Sequence, residues 1–225
     1  HQLPLELGHA PGFSRDELVV SPANAQAVSL LDSWPDWPSQ VVVLAGPPGA
    51  GKSHVAAIWQ ELADATAVGR GAIGEAEIAA AEGPVLIDDA DADGLDEAGL
   101  FHLFNAVRQS GTHMLLTARR FPAAWGAKLP DLASRLKAAA TVEIHEPDDL
   151  LLSGVITKLF ADRQVEVDQQ VVQYLVKRIE RSLATAIRLV ERLDRRALET
   201  KSRITRQLAA GVLDAMDAGQ ASLDL

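Results

Sequence analysis

The 225 residues contain no cysteine. That excludes disulfides, thiolate metal sites and cysteine nucleophiles, and it fits a reducing compartment. Aromatic side chains are scarce, 4% against 48% hydrophobic residues overall, so a core must be built from aliphatic groups. No apolar run approaches the ~20 residues of a membrane-spanning helix, and no signal peptide is visible. Positive charge is in deficit: 21 Lys and Arg face 31 Asp and Glu, for a formal net charge of −10. That balance argues against a general nucleic-acid surface, because neutralising phosphates needs clustered bases. The six histidines, His1, His9, His54, His102, His113 and His145, show no metal-ligand spacing. No serine stands in a nucleophile-elbow context. The expectation is a cytoplasmic protein with no membrane partner.

What charge there is lies unevenly. Between Glu61 and Glu97 eleven acids stand against one base, Arg70, whereas between Lys177 and Arg206 ten bases stand against four acids. Solvated helix faces account for many such runs. An acidic surface on one half and a basic one on the other would instead suit docking against a related molecule.

Along the chain, "GHAPGFSRDE" reads as a polar joint, and residues 23–31 as a helix that Pro35 and Pro38 bring to an end. "VVVLAG" at 41–46 is a β-branched run of the kind buried on both faces of a sheet. A helix is predicted from Lys52 to about Ala65, a second buried strand at 85–87, and a helix carrying Leu100, Leu103, Phe104 and Val107. "HMLLTA" and "ATVEIHE" give two more strands. Strands alternating with helices imply a mainly parallel sheet in an α/β fold. From Pro147 onward only helical patterns remain, over roughly 80 residues, a size that can form a small subdomain. The organisation read from the sequence is residues 1–12 as an N-terminal peptide and linker, 13–146 as an α/β domain and 147–225 as an all-helical unit.

"GPPGAGKS", Gly46 to Ser53, fits G-x-x-x-x-G-K-[ST] and falls between a predicted strand and a predicted helix, the context that gives the motif meaning. Gly46, Pro47, Pro48, Gly49, Ala50 and Gly51 form a loop whose N–H groups can turn inward around an anion. Lys52 reaches the outer phosphates at a positive helix end, and Ser53 offers a hydroxyl to Mg²⁺. With the adjacent His54, these residues make a candidate nucleotide site. "VLIDD" supplies acids directly after a buried strand. Asp88, on a strand expected beside the P-loop strand, suits Mg²⁺ held through water, and Asp89 is placed to polarise an attacking water.

The P-loop, "IDD", a strand ending "LLTARR", "LPDLASRL" and the helical tail together resemble an AAA+ ATPase over essentially the whole chain. More narrowly they resemble the AAA+ core of the bacterial initiator DnaA and its shorter relatives of the Hda (HdaA) family. The resemblance implies a three-layer α/β AAA+ P-loop domain with a parallel sheet and a small helical lid. It implies ADP or ATP with Mg²⁺ as cofactors, and backbone around Val19 and Val20 flanking adenine. It also implies an arginine finger at Arg135 that reaches a neighbouring molecule's nucleotide. Thr117 is the implied first sensor, since Arg119 stands where relatives tend to carry an acid. The second sensor is left open between Ala184 and Arg181. The segment between Ser53 and Asp88 is short, so an insertion for gripping single-stranded DNA is not expected. A helix-turn-helix domain after the lid is not expected either, and with it no sequence-specific DNA contact.

"QLPLEL", residues 2–7, alternates Leu3, Leu5 and Leu7 behind Gln2. On pattern alone this is an edge strand. Beside a DnaA-like body it resembles the peptide with which Hda proteins engage the sliding clamp, alternate side chains entering a groove while Gln2 fixes the register. The implied function is negative regulation of replication initiation: tethered to the clamp (the beta subunit of DNA polymerase III) on DNA, the chain stimulates hydrolysis of DnaA-bound ATP, with little ATPase activity of its own. The alternative is a self-assembling AAA+ ATPase, initiator-like or a helicase loader, that turns over its own ATP. Self-association stays open.

Overall fold

In a computed structural model, residues 15–74 and 76–221 are described. The predicted peptide at Gln2, Leu3, Leu5 and Leu7 lies outside the described residues.

The first helix, α1 (Ala25–Asp32), is followed by β1 (Val41–Ala45), α2 (Lys52–Ala63), β2 (Thr66–Ala67), α3 (Ala76–Glu82), β3 (Val85–Ile87), α4 (Glu97–Ser110), β4 (Met114–Ala118), α5 (Pro130–Ala138) and β5 (Ala140–Glu143). The five strands form one sheet in the order β2-β3-β4-β1-β5. Every pairing is parallel, with Val43 opposite Leu116 and Leu44 opposite Val142.

This order corrects one expectation. The strand ending at Asp88 does not adjoin the P-loop strand; β4 lies between β3 and β1. The acids meet the P-loop across β4's carboxyl end, which is why Thr117 on β4 sits at the centre of the site. A second correction is the strand count, because the two-residue β2 has both side chains exposed and carries no hydrophobic signal.

The β-branched runs are buried on both faces, as parallel strands require. On one face Val41, Val43, Ile87, Met114 and Leu116 pack against Leu100, Leu103 and Phe104 of α4 and Leu132 and Leu136 of α5. On the other, Val42, Leu44, Leu86 and Leu115 meet Leu30 and Leu31 of α1 and Val55, Ile58 and Trp59 of α2. The result is three layers with the sheet in the middle. Three of the four tryptophans gather below it: Trp37 stacks on Trp59 at 5.0 Å, with Trp34 edge-on to both and His113 alongside.

Four helices follow: α6 (Asp149–Asp162), α7 (Gln169–Val176), α8 (Leu183–Thr200) and α9 (Arg206–Ala221). Asp148, Asp168 and Ser182 cap the first three with side-chain oxygens, satisfying N–H groups that the helix itself cannot. Their apolar faces close on a separate core around Phe160, Leu175, Leu189 and Leu193. No helix among the described residues is long and apolar enough to cross a membrane.

Candidate functional site

The loop between β1 and α2 is fixed at both ends. Gly46 donates its N–H to the Ala118 carbonyl at 3.1 Å, and a Cβ there would stand 2.2 Å from the Ile144 carbonyl oxygen, so only glycine fits. Gly49 adopts φ +75°, and a Cβ on it would meet the Ser182 hydroxyl at 2.3 Å. The Leu183 N–H, at the start of α8, donates to the Gly49 carbonyl at 2.8 Å. The helical unit therefore rests directly on the glycine loop. Helix α2 begins without a side-chain cap, leaving its first N–H groups facing the loop, an arrangement suited to an anion.

Lys52 is buried and donates from Nζ to the carbonyls of Gly46 and Pro47, both at 2.8 Å. Burial pushes its ammonium below the ordinary value, while Asp89 pulls in the opposite direction. Ser53 donates from Oγ to both oxygens of Asp88, at 3.1 and 3.3 Å. Asp88 also accepts from the Thr117 hydroxyl. Thr117 in turn accepts from the Asp89 N–H at 2.9 Å, and its side chain is fully buried. One hydroxyl thus holds both acids in register. Asp89 itself takes a left-handed backbone, φ 50°, which turns it towards the cavity.

That cavity, about 480 Å³, lies between the loop and the helical unit, within the size range of small-ligand sites. Its walls include Pro48, Gly49 and Gly51 from the loop, Lys52, Ser53 and His54 from the first turn of α2, Val19 from the N-terminal side, Asp89, and Leu183, Ala184 and Ile187 from α8. The carbonyl of Val19 accepts from Asn24 Nδ2 at 2.8 Å, which fixes that stretch of backbone. His54 has a lowered pKa, mainly through burial and further through Lys158.

Several sequence-predicted residues stand off the walls. Gly46, Pro47 and Ala50 shape the loop from behind, and Val20 is exposed beside Val19. Arg181 binds Asp149 at 2.7 Å and the Pro147 carbonyl at 3.1 Å, while Ala184 faces the cavity. Arg135 is half-buried on α5, away from this cavity, its guanidinium 5.1 Å from the centre of the Phe101 ring.

Sequence reasoning missed Asp91, read only as part of an acidic loop. Its carboxylate, 2% exposed, accepts from the N–H groups of Arg119 and Arg120 and from Arg120 Nε, at 2.9–3.1 Å. Burial alone would raise its pKa; the hydrogen bonds from Arg119 and Arg120 outweigh that and hold it below the ordinary value. Asp91 thereby anchors the turn that follows Thr117. Lys158 and Val155 on α6, which also line the cavity, look like ordinary helix positions in the sequence.

The residues present suit Mg²⁺ in one specific way. Among the described residues no cluster of three or more His, Cys, Asp or Glu could enclose a metal. Ser53 and Asp88 offer neighbouring oxygens, which fits an ion that keeps its waters and takes phosphate oxygens as further ligands.

A parallel sheet of this order, a glycine loop before α2 and a helical unit resting on that loop make a fold of the AAA+ type. Domain III of the replication initiator DnaA from Thermotoga maritima superposes with a TM-score of 0.77 at 17% identity, over 92% of this chain and 97% of that one. AMPPCP-bound DnaA from Aquifex aeolicus gives 0.69 at 17% identity, over 84% of this chain and 65% of that one. A RuvB mutant from Thermotoga maritima gives 0.75 at 18% identity, over 92% and 73%. Residues 156–213 match the family model described as "Hda, lid domain". An uncharacterised protein of Haemophilus influenzae is 28% identical over 110 residues, 48% of each sequence, so the chain spans about half the length of that curated relative. The chain thus has the fold of DnaA domain III and of RuvB, and its residues 156–213 are similar to the Hda lid domain.

Proposed function

We propose that this chain binds an adenine nucleotide with Mg²⁺ between its P-loop and its lid, and uses Arg135 to promote hydrolysis of ATP held by DnaA. Cradle N–H groups and Lys52 would hold the phosphates, Ser53 and Asp88 the ion, and Val19 the adenine side. Mg²⁺ would neutralise charge on the phosphates. Residues 2–7, through Gln2, Leu3, Leu5 and Leu7, would tether the molecule to the sliding clamp on DNA. The product, DnaA-ADP, would be unable to start another round of replication.

The observation that carries the reading is the separation of the two functions. Val19, Pro48, Gly49, Gly51, Lys52, Ser53 and Asp89 line one cavity. Arg135 stands on another flank, in the last turn of α5, with an aromatic ring rather than a carboxylate as its neighbour. A guanidinium so held is available to a partner's phosphates, where such a group can be worth orders of magnitude in rate. The test follows DnaA-bound ATP with loaded clamp present. Wild type should accelerate its loss and Arg135→Ala should not; equal rates end the proposal. Asp89 on the cavity wall favours the second reading, a self-assembling ATPase. In that case hydrolysis by the isolated chain would be substantial and would vanish in Asp89→Asn.

A further inference from the structure

The structure points to a second binding surface, remote from the nucleotide cavity and independent of the function proposed above. We infer that the outer face of the lid, along α8 and the turn into α9, binds the sugar-phosphate backbone of duplex DNA without regard to sequence.

The stretch from Lys177 to Arg206 carries +6 from ten bases and four acids, while the remaining 11 bases and 27 acids carry −16. The molecule is therefore strongly polarised, and a polyanion would repel most of it and attract the lid. In the fold, Arg192, Arg195 and Arg196 share one side of α8, at the three- and four-residue spacing that makes helical neighbours. They line an open groove of about 690 Å³ whose far side carries Arg203 and the first turn of α9. All four guanidinium groups belong to exposed residues. Arg196 has a partner in Glu199 at 3.2 Å, but among the described residues Arg192, Arg195 and Arg203 have no carboxylate or other polar partner. Of the acids on α8, Asp194 turns to Arg163 at 3.8 Å instead. Arg206 extends the basic surface onto Tyr174, its guanidinium 4.7 Å from the ring centre.

Phosphate donors other than arginine are present. Ser202 and Thr205 border the groove, and Thr205 accepts from the Leu208 N–H at 3.3 Å at the start of the 16-residue α9. A protein partner is the weaker match. Protein interfaces gain most from large apolar or aromatic anchors at their centre, and no large apolar side chain is exposed in this groove, Val212 being buried and Leu208 half-buried. What the surface offers is spaced, uncompensated positive charge, which is what a backbone with one charge per ~1.7 Å of duplex rewards.

The experiment is fluorescence anisotropy of a labelled duplex of about 30 base pairs and arbitrary sequence, titrated with the full chain over a range of salt. Wild type should bind at low salt, with affinity falling steeply as salt rises. Changing Arg192, Arg195 and Arg203 together to glutamine should weaken binding at least about tenfold and flatten the salt slope by about 2 to 3. The corresponding triple lysine variant should bind within about threefold of wild type, because backbone neutralisation needs charge rather than the guanidinium fork. The inference is overturned if wild type fails to bind duplex at low salt, or if the glutamine variant binds as tightly. It is equally overturned if poly-glutamate of matched charge displaces the labelled duplex as well as unlabelled duplex does, which would assign the surface to an acidic protein.

Discussion

The Arg135 guanidinium lies over the ring of Phe101, 5.1 Å from its centre, joining α5 to α4. Phe101 also packs against the core on that side of the sheet, so the ring is anchored and the arginine rests on it. A cation so placed gains roughly 0.5–2 kcal/mol and loses little of its charge. Phe101→Leu should reduce stimulation of DnaA-bound ATP hydrolysis by about three- to tenfold, while Phe101→Tyr retains it. The chain's own nucleotide affinity should be unchanged in both. Comparing the hydrolysis rate with a nucleotide titration checks this. A full rate in Phe101→Leu alongside a lost rate in Arg135→Ala would remove the ring from the account and leave the finger in it.

Gly49→Ala should loosen the lid. Its backbone lies at φ +75° and its new methyl would collide with Ser182. Left-handed strain and crowding together should cost about 2 kcal/mol, lowering Tm by roughly 4–8 °C for a domain of this size. Nucleotide affinity should fall with it, because the same residue borders the cavity. Thermal melts with and without ADP give both readouts.

Asp91→Asn should free the turn after Thr117. The carboxylate accepts three hydrogen bonds from Arg119 and Arg120, and the amide keeps only one acceptor oxygen, for a loss of about 1–2 kcal/mol. Because the native pKa is lowered, the contribution is present above the unfolded value of about 3.9 and is lost as pH falls through the native one. Wild type should therefore show a steeper acid limb than Asp91→Asn in denaturant melts between about pH 5 and 2.

His113 gives a test at milder pH. Burial lowers its pKa, and its ring lies 4.9 Å from Trp34 and 5.8 Å from Trp37. The neutral form is the one the fold accommodates. Its contribution is present above about pH 6.5 and declines as pH drops through the lower native value. His113→Gln should flatten the dependence of Tm on pH between about 7.5 and 5, read by tryptophan fluorescence at the same cluster.

Much of this architecture could be read from residue types alone. Val41 to Ala45 and Met114 to Ala118 announce themselves because strands buried on both faces tolerate little but aliphatic groups. Gly46 to Ser53 carries its chemistry locally, within one turn. What escaped reading depends on packing between distant segments. Nothing in "VLIDD" says that β4 intervenes before the P-loop strand. Asp91 looks like any loop acid until Arg119 and Arg120 fold over it. Phe101 sits among core positions of α4, and only the approach of α5 shows that one side of its ring meets a guanidinium.

The hydrogen bond from Leu183 to Gly49 makes the glycine loop a pivot for an 18-residue helix. At 1.5 Å per residue that helix is a rod about 27 Å long. A tilt of about 10° at the loop would swing the far end, at Thr200, by about 5 Å. Were the loop to close on a phosphate as proposed, a small adjustment there would reach the other end of α8 as a larger displacement.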